Sequence, residues 1–366
     1  ILLRQSNALD ADGRRVERRA AYARNVAGFG DERDFFPAKV FSAAARWWAD
    51  NLEHDQRLLV VDSFDVHEPF HIPEPYASMY TAEDPRDPDL VSWPLYGRTD
   101  QGASKLSERQ IAFVRAQYAG KLTMADRWLG ELFDELDRSK AWNDTMVIVT
   151  TDHGHYLGDH GWMGKGTAPL YDVLAHPPLM VWQPGSPRMG QRVSALTSAV
   201  DLYATMLDAL DIPVPVSSHG RSLLPLLRGE TDRVRDWALY GYWGSTMNVT
   251  DGRWTYHQPC RDDIPAYLYS TMMLNPWDWF APARPQPDAE SGRFLPYTDA
   301  PVWRYPAKSQ RRHDEPLLFD VERDPGQVEN LAEREPAQAQ AMRELMVTAL
   351  RELSAPDEQY ERLSLV

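Results

Sequence analysis

The sequence predicts an α/β fold, in which a mostly parallel sheet is flanked by helices, with a smaller C-terminal α+β subdomain. Helical patterns and short buried-strand patterns alternate over residues 38–185, and this alternation is typical of a parallel α/β sheet. After residue 231 the pattern changes to short strands around an Asp-Gly turn. We therefore expect one α/β domain over 1–231 and a subdomain with a small antiparallel sheet and a terminal helix over 232–366.

The composition is that of a globular protein with an acidic surface. Apolar residues make up 43% of the 366 residues, and the formal net charge is −15. Because phosphate contacts need a basic face, this charge argues against a general nucleic-acid binder. No run approaches ~20 apolar residues, so no membrane span is predicted. Neither the N-terminal segment nor the single cysteine fixes the compartment, and cytoplasmic and periplasmic (bacterial-type) locations both stay open.

The first predicted elements are a helix, a strand and a loop. Apolar side chains at helical spacing predict a helix over 38–53. The continuously apolar run RLLVVDSF (57–64) predicts a buried parallel strand. Three prolines then exclude regular structure from DVHEPFHIPEPY, which predicts a loop over 65–76.

A second helix, strand and loop follow the first set. A long helix is expected over 106–139, with an apolar stripe that includes Leu122, and AWNDTMVIVTTD (141–152) predicts a second buried strand. Ligands of parallel α/β sheets bind beyond the carboxyl ends of the strands. We therefore expect the loops at 65–76 and 152–168, which both leave strands at that end, to lie together.

The remaining elements are predicted from the same patterns. They are a strand within 177–185, a helix over 198–212, antiparallel strands over 237–259, a loop-like region over 258–315, a last strand beginning near 316 and a helix over 335–355.

The stretch TTDHGHYLGDHGWMGKG (150–166) carries the candidate chemistry. Asp152 and His153 stand at the end of a predicted strand, and a carboxylate beside an imidazole is a common donor pair for a divalent metal. Lys165 lies between two glycines, so its ammonium can reach a pocket without crowding. A metal and a lysine together suit an oxyanion, because both neutralise charge on a transferred sulfuryl or phosphoryl group.

His67, in the other loop, could donate a hydrogen bond to the same group or to the leaving oxygen. Each candidate also has a purely structural interpretation. Asp152 could cap a helix, Lys165 could be solvated, and His67 could be a hydrogen-bonded loop histidine. For His155 and His160 we favour a structural or peripheral role.

Several motifs in order resemble the sulfatases of the alkaline phosphatase superfamily. The segment at 147–167 resembles that family's metal-and-lysine segment, which reads strand, Asp, Asn or His, Gly and then GxHGxxxKG. VVDSFDVHEPF (60–70) resembles its His-x-Pro-Phe/Trp segment, whose histidine contacts the sulfate. SAVDLYATMLDALDI, HGRSLLPLLRG and LFDVERDPGQVENLA resemble later segments, so the similarity runs from about residue 38 to 335 in family order.

The resemblance implies an alkaline-phosphatase-like fold and the hydrolysis of a small-molecule or saccharide sulfate ester. It also implies that Asp152 and His153 bind the metal, and that His67 and Lys165 are catalytic residues that hold the transferred group of the substrate. The family's second ligand is often Asn, usually with calcium. We therefore expect Ca²⁺, and the imidazole of His153 adds Mn²⁺ and Zn²⁺ as options.

The family's nucleophile, a formylglycine made from a Cys- or Ser-x-Pro-Ser-Arg box, has no counterpart in the 366 residues, nor does its early pair of acids. Cys260 lacks the Pro and Ser of that box, and Ser63 already belongs to the sulfate-histidine segment. We expect the nucleophile upstream, with this chain an incomplete part of the enzyme. Two alternatives stay open: a phosphonate monoester or phosphodiester hydrolase with the same His variant, and a non-catalytic sulfatase-like binding protein.

Overall fold

The computed structural model describes residues 14–165, 168–271, 288–295, 298–307 and 311–366. These residues form two units. The first holds the described residues of Ile1–Ala168 together with Pro177–Gly185, and the second holds Pro169–His176 and the described residues of Ser186–Val366. The predicted domain boundary at residue 231 stays a prediction.

The elements of the first unit confirm the two predicted helices. In chain order they are α1 (Arg14–Asn25), α2 (Phe36–Asp50), β1 (Gly97–Arg98), α3 (Glu108–Ser139), β2 (Val147–Thr150), β3 (Tyr156–Leu157), β4 (Trp162–Gly164) and β5 (Leu179–Trp182). A capping box begins α3, because the Ser107 hydroxyl accepts from the Gln110 amide at 3.2 Å and the Gln110 side chain accepts from the Ser107 amide at 2.9 Å.

Helices α2 and α3 pack together through apolar side chains. Phe41 of α2 shares a buried cluster with Met124 and Trp128 of α3, and Trp48 shares another with Leu132. Helix α3 therefore buries an apolar face, as predicted, but this face differs in part from the predicted stripe.

Leu122 of α3 is exposed, whereas Gln117 and Lys121 are buried. The face that a helix buries depends on its neighbours. Helix α3 buries the face that carries Lys121, because Lys121 forms an ion pair with Asp65 there. A pattern of apolar residues does not reveal such a partner.

The predicted buried strand at 57–64 is wrong. Leu58, Val60 and Phe64 are 57%, 73% and 64% exposed, while Leu59 and Val61 pack against the helices. Within the described residues this segment forms no strand pairing. A strand needs a neighbour that completes its hydrogen bonds, and an apolar run cannot provide that neighbour.

The sheets of the first unit are small and antiparallel. β2 pairs with β5, with Ile148 opposite Val181, which confirms the strands predicted within 141–152 and 177–185. The residues of β2 are partly buried or exposed, so the predicted burial of this strand is not seen. Helices and sheets occur together as expected for the α/β class, but the strand pairs formed by the described residues are all antiparallel. The expected parallel pairing is thus not seen in these residues, because its predicted partner at 57–64 is unpaired.

The loop at 65–76 and the stretch at 152–165 do lie together, as expected. β4 lies between β1 and β3 in a three-stranded sheet. Met163 of this sheet is buried with Phe70 of the loop and Val114 of α3. This apolar contact holds both polar segments on one face of α3.

The second unit contains the predicted later helices and two antiparallel sheets. Its elements are α4 (Asp172–Ala175), α5 (Val200–Ala209), α6 (Leu224–Leu227), β6 (Ala238–Gly241), β7 (Met247–Thr250), β8 (Trp254–Gln258), β9 (Ala266–Ser270), β10 (Glu290–Gly292), β11 (Val302–Ala307), β12 (Leu317–Asp320), α7 (Pro336–Glu352) and α8 (Asp357–Arg362). The sheet orders are β12-β8-β7-β6 and β10-β11-β9.

The region 258–315 is not loop-like throughout, because it contributes three strands, β9 to β11. β9 pairs with β11 across a long stretch of sequence, and such distant pairing leaves no local signal. Residues 272–287, 296–297 and 308–310 of that prediction lie outside the described residues.

The core of the second unit forms between α7 and the four-stranded sheet. Met342 and Met346 of α7 are buried with Val249 and Leu318 of the sheet, and Cys260 lies in the same cluster. None of the helices in the described ranges is both long enough and apolar enough to cross a membrane.

Candidate functional site

Asp152 and His153 follow β2, and Lys165, which follows β4, lies against His153. The His153 Nδ1 lies 2.7 Å from the Gly154 carbonyl oxygen, which can only accept, so Nδ1 carries the proton. The Lys165 ammonium lies 3.1 Å from His153 Nε2 and donates to its lone pair. Asp152 Oδ2 lies 3.3 Å from the same Nε2. One imidazole nitrogen therefore faces both a carboxylate and an ammonium.

The donor atoms of Asp152 and His153 suit one divalent ion. Two ligand atoms that each stand about 2.1 Å from one ion are roughly 3 Å apart, close to the observed 3.3 Å. Asp152 is 80% exposed and His153 37%, so further ligands can approach. Among the described residues, no group of three or more His, Cys, Asp or Glu side chains could hold a metal ion. These two residues therefore fit as part of a metal site.

Glu68 connects the loop at 65–76 with the stretch after β2. Its Oε2 lies 3.3 Å from Nε2 of His155, and the hydroxyl of Tyr96 donates to Oε1. The Nδ1 of His155 donates its proton to the Tyr156 carbonyl at 2.9 Å. A second proton, on Nε2 of His155, therefore makes the contact with Glu68 Oε2 favourable. The side chains of His155 and Glu68 are 9% and 6% exposed, so little water screens this contact.

Gly164 has no side chain, which leaves space for the Tyr96 ring whose hydroxyl contacts Glu68. Gly164 has a positive φ of 90°, and a Cβ there would lie 2.2 Å from the Tyr96 ring. A glycine is therefore required at the end of β4 for this ring to pack against the backbone. The other glycine that flanks Lys165, Gly166, lies outside the described residues.

Lys121 of α3 holds the backbone of the loop at 65–76. Its Nζ lies 2.5 Å from Asp65 Oδ1 and donates to the carbonyls of His67 at 2.7 Å and Pro69 at 3.0 Å. Lys121 and Asp65 are 6% and 1% exposed. Burial lowers the pKa of Lys121, while the carboxylate of Asp65 opposes that shift. The loop is thus fixed to the helix by a buried ion pair.

The contacts of Glu68 make its charge sensitive to acid. Burial would raise the pKa of Glu68, but His155, Tyr96 and the charge of His67 together lower it from 4.5 to about 2. A carboxylate with a lowered pKa stabilises the fold above its unfolded pKa, and this stability is lost as the pH falls from about 4.5 to about 2.

We expect this acid sensitivity to decrease in the Glu68→Gln variant. The wild type should lose on the order of 3 kcal/mol more stability than the variant over that range, at about 1.4 kcal/mol per pKa unit. Urea unfolding at pH 6 and at pH 2 measures this difference. Glu74→Gln, which removes an exposed carboxylate from the same loop, is the control and should keep the acid sensitivity of the wild type. Equal sensitivity in Glu68→Gln and wild type would contradict the prediction.

The four residues singled out in the sequence occupy two adjacent loops. His153 contacts both Asp152 and Lys165, whereas His67 lies in the neighbouring loop. In the described part of the chain, no hydrogen bond or ion pair joins His67 directly to these three. The loops meet at the contact of Glu68 with His155, two residues beyond His153.

Glu68, Tyr96 and Lys121 were not singled out in the sequence. Lys121 had a recognisable signal, because it stands at helical spacing among the buried residues Val114 and Trp128. A lysine at such a position indicates a buried partner. Glu68 directly follows His67 in sequence, but Tyr96 had no signal that we can identify.

Comparison with known families yields one match that covers more than half of the chain. The sulfatase family model matches residues 17–212. The matched range includes all four candidate residues as well as Glu68 and Lys121.

Two curated relatives and one solved structure agree with this match. The multifunctional alkaline phosphatase superfamily protein PehA of Trinickia caryophylli is 30% identical over 53% of this chain and 42% of its own length. Arylsulfatase K of Xenopus laevis is 28% identical over 67% of this chain and 38% of its own length. The chain thus spans about two fifths of the length of these relatives.

The crystal structure of a phosphonate monoester hydrolase of Agrobacterium radiobacter has a similar fold. The match has a TM-score of 0.62 at 22% identity, and it covers 88% of this chain and 62% of that one. This likeness confirms the predicted alkaline-phosphatase-like fold class.

Proposed function

Since this chain belongs to the sulfatase family, we propose that it carries the anion-binding part of a sulfuric ester hydrolase. The observation that supports the proposal most is the group formed by Asp152, His153 and Lys165 at the end of β2. This group combines two ligands for a divalent cation with an ammonium. Both features favour a group that develops negative charge.

In the proposed reaction, Lys165 and His67 hold the sulfuryl group. Lys165 Nζ donates to His153 Nε2 when no cation is bound. A cation on Nε2 would take that lone pair, so the N–H groups of Lys165 would then be available for sulfuryl oxygens. The Nδ1 of His67 donates to the Glu68 carbonyl at 2.7 Å, so its Nε2 is the atom left for the substrate. When His67 carries a proton on both ring nitrogens, Nε2 can donate that second proton to the leaving oxygen, or donate a hydrogen bond to a sulfuryl oxygen.

A divalent metal would be held by Asp152 and His153 together with ligands from outside the described residues. We propose Ca²⁺, with Mn²⁺ or Zn²⁺ as alternatives because an imidazole is one of the two ligands. When bound, the metal supplies positive charge that stabilises the oxyanion.

The nucleophile in this proposal is a formylglycine in the polypeptide upstream of Ile1. The location of Cys260 supports this part of the proposal. Cys260 is the single cysteine of the 366 residues, and it lies in the buried core of the second unit. Burial also raises the pKa of its thiol, which disfavours the reactive thiolate.

A phosphonate monoester or phosphodiester hydrolase is the second candidate. It is favoured by His153, which replaces the Asn that is common among sulfatases, and a phosphonate hydrolase has a similar fold. Sulfate and phosphonate esters both place negatively charged oxygens on a tetrahedral centre. Lys165 and His67 could hold either of them.

The two candidates are distinguished by the turnover of the full-length protein, with the residues upstream of Ile1 included. We propose to compare kcat/KM for para-nitrophenyl sulfate and para-nitrophenyl phenylphosphonate after addition of Ca²⁺, Mn²⁺ or Zn²⁺. The expected result is a higher kcat/KM for the sulfate. A higher value for the phosphonate would favour the second candidate, and no turnover of either ester would leave a sulfatase-like binding protein.

A further inference from the structure

A single carboxylate lies between the two loops that carry the proposed site. The Oε2 of Glu68 is 3.3 Å from Nδ1 of His67 and 3.3 Å from Nε2 of His155. The Tyr96 hydroxyl donates to its other oxygen. Glu68 is 6% exposed, so water does not screen these contacts as it would at the surface.

The ring of His67 is fixed by contacts on one edge and one face. Its Nδ1 donates to the Glu68 carbonyl at 2.7 Å and also faces the Glu68 carboxylate. The Phe64 ring stacks on it with centroids 4.3 Å apart and an interplanar angle of 22°. A proton on Nδ1 and a stacked ring together define one orientation, in which Nε2 points away from Glu68.

The groups around this ring come from several elements. On its own loop Glu68 faces the ring, and from α3 the ammonium of Lys121, which is paired with Asp65, binds the His67 carbonyl. His155 and Tyr96 approach through Glu68. Of these groups, Glu68 is the one that contacts both the His67 imidazole and the loop that leads to Lys165.

We propose that Glu68, which is itself held by Tyr96 and by His155 of the other loop, is a positioning residue that orients His67 toward the transferred group. This inference rests on the proposed function of His67. Glu68 does not touch the substrate in this account. Its effect is to hold the ring of His67 in one orientation, with a proton on Nδ1 and with Nε2 toward the substrate, so removing its charge should slow turnover through His67.

The test is a double-mutant cycle in the full-length protein with para-nitrophenyl sulfate as substrate. Glu68→Gln keeps the size of the side chain and removes its charge. We expect it to lower kcat about 10–100-fold, with a smaller effect on KM. His67→Asn should lower kcat at least as much. If Glu68 acts through His67, then Glu68→Gln causes no further loss in the His67→Asn background.

Two variants control for an indirect effect on the fold. Glu74→Gln removes an exposed carboxylate from the same loop and should keep wild-type kcat and melting temperature. Tyr96→Phe removes one hydrogen bond from Glu68 but keeps its charge, and it should lower kcat less than Glu68→Gln does. If Glu68→Gln does not fold, Tyr96→Phe replaces it in the cycle.

The outcomes separate this inference from the proposed function. An equal loss from Glu68→Gln in both backgrounds, or full activity of Glu68→Gln, would overturn the positioning role while His67 keeps its own. Full activity of His67→Asn would instead overturn the proposed role of His67, and the positioning role with it.

Discussion

Replacing Lys121 with methionine is expected to lower the free energy of unfolding by about 3–5 kcal/mol. The substitution keeps the length of the side chain but leaves the Asp65 carboxylate buried without its partner. It also removes the donor for the carbonyls of His67 and Pro69. Urea unfolding of the variant and the wild type at pH 7 measures the loss.

The matched control for Lys121→Met is Arg127→Met on the same helix. Arg127 forms an exposed pair with Glu131, and such pairs contribute little to stability. The double variant Asp65→Leu/Lys121→Met removes both buried charges, and it should recover part of the loss. A Lys121→Met variant as stable as the control would contradict the buried ion pair.

The largest expected effect on activity comes from Lys165→Met. This substitution removes the ammonium that faces His153 and, in the proposed function, the sulfuryl oxygens. Removing one donor to a developing oxyanion typically lowers kcat by about 10²–10³-fold. Steady-state kinetics of the full-length protein with para-nitrophenyl sulfate measure this loss.

Lys105→Met is the control for Lys165→Met. Lys105 is an exposed lysine at the start of the segment that leads into α3, and its replacement should leave kcat unchanged. The melting temperatures of both variants should match that of the wild type. If Lys165→Met keeps full activity, Lys165 does not bind the transferred group.

Helices and tight turns could be predicted from sequence, because the residues that determine them are close together in the chain. Helix α3 was predicted from the helical spacing of its apolar residues, and the structure adds a capping box at Ser107. The turn at Asp251 and Gly252 is equally clear, since the Asp251 carboxylate accepts from the amides of Arg253 and Trp254 at 2.9 and 2.7 Å. These structures depend on residues a few positions apart.

The errors arose where distant residues decide the outcome. The run at 57–64 has the composition of a strand but no paired neighbour in the described residues. β9 and β11 pair across dozens of residues that give no local pattern. The position of the buried face of α3 depends on Asp65, which offers Lys121 a partner from another segment.

The candidate site likewise contains residues that local sequence identifies and residues that only the fold reveals. Asp152, His153 and Lys165 could be singled out because a strand end and a glycine-rich turn bring them together over fourteen residues. Glu68 was missed because its role depends on Tyr96 and His155, which approach from other segments. Sequence identifies residues with suitable chemistry, but only the fold shows which groups hold them in place.

The central claim is that His67 and Lys165 hold the same transferred group. A crystal structure of the full-length protein with inorganic sulfate bound tests it most directly. We predict that Nε2 of His67 and Nζ of Lys165 both lie about 2.7–3.2 Å from oxygens of one sulfate ion. A sulfate bound elsewhere, with neither atom in contact with it, would contradict the claim.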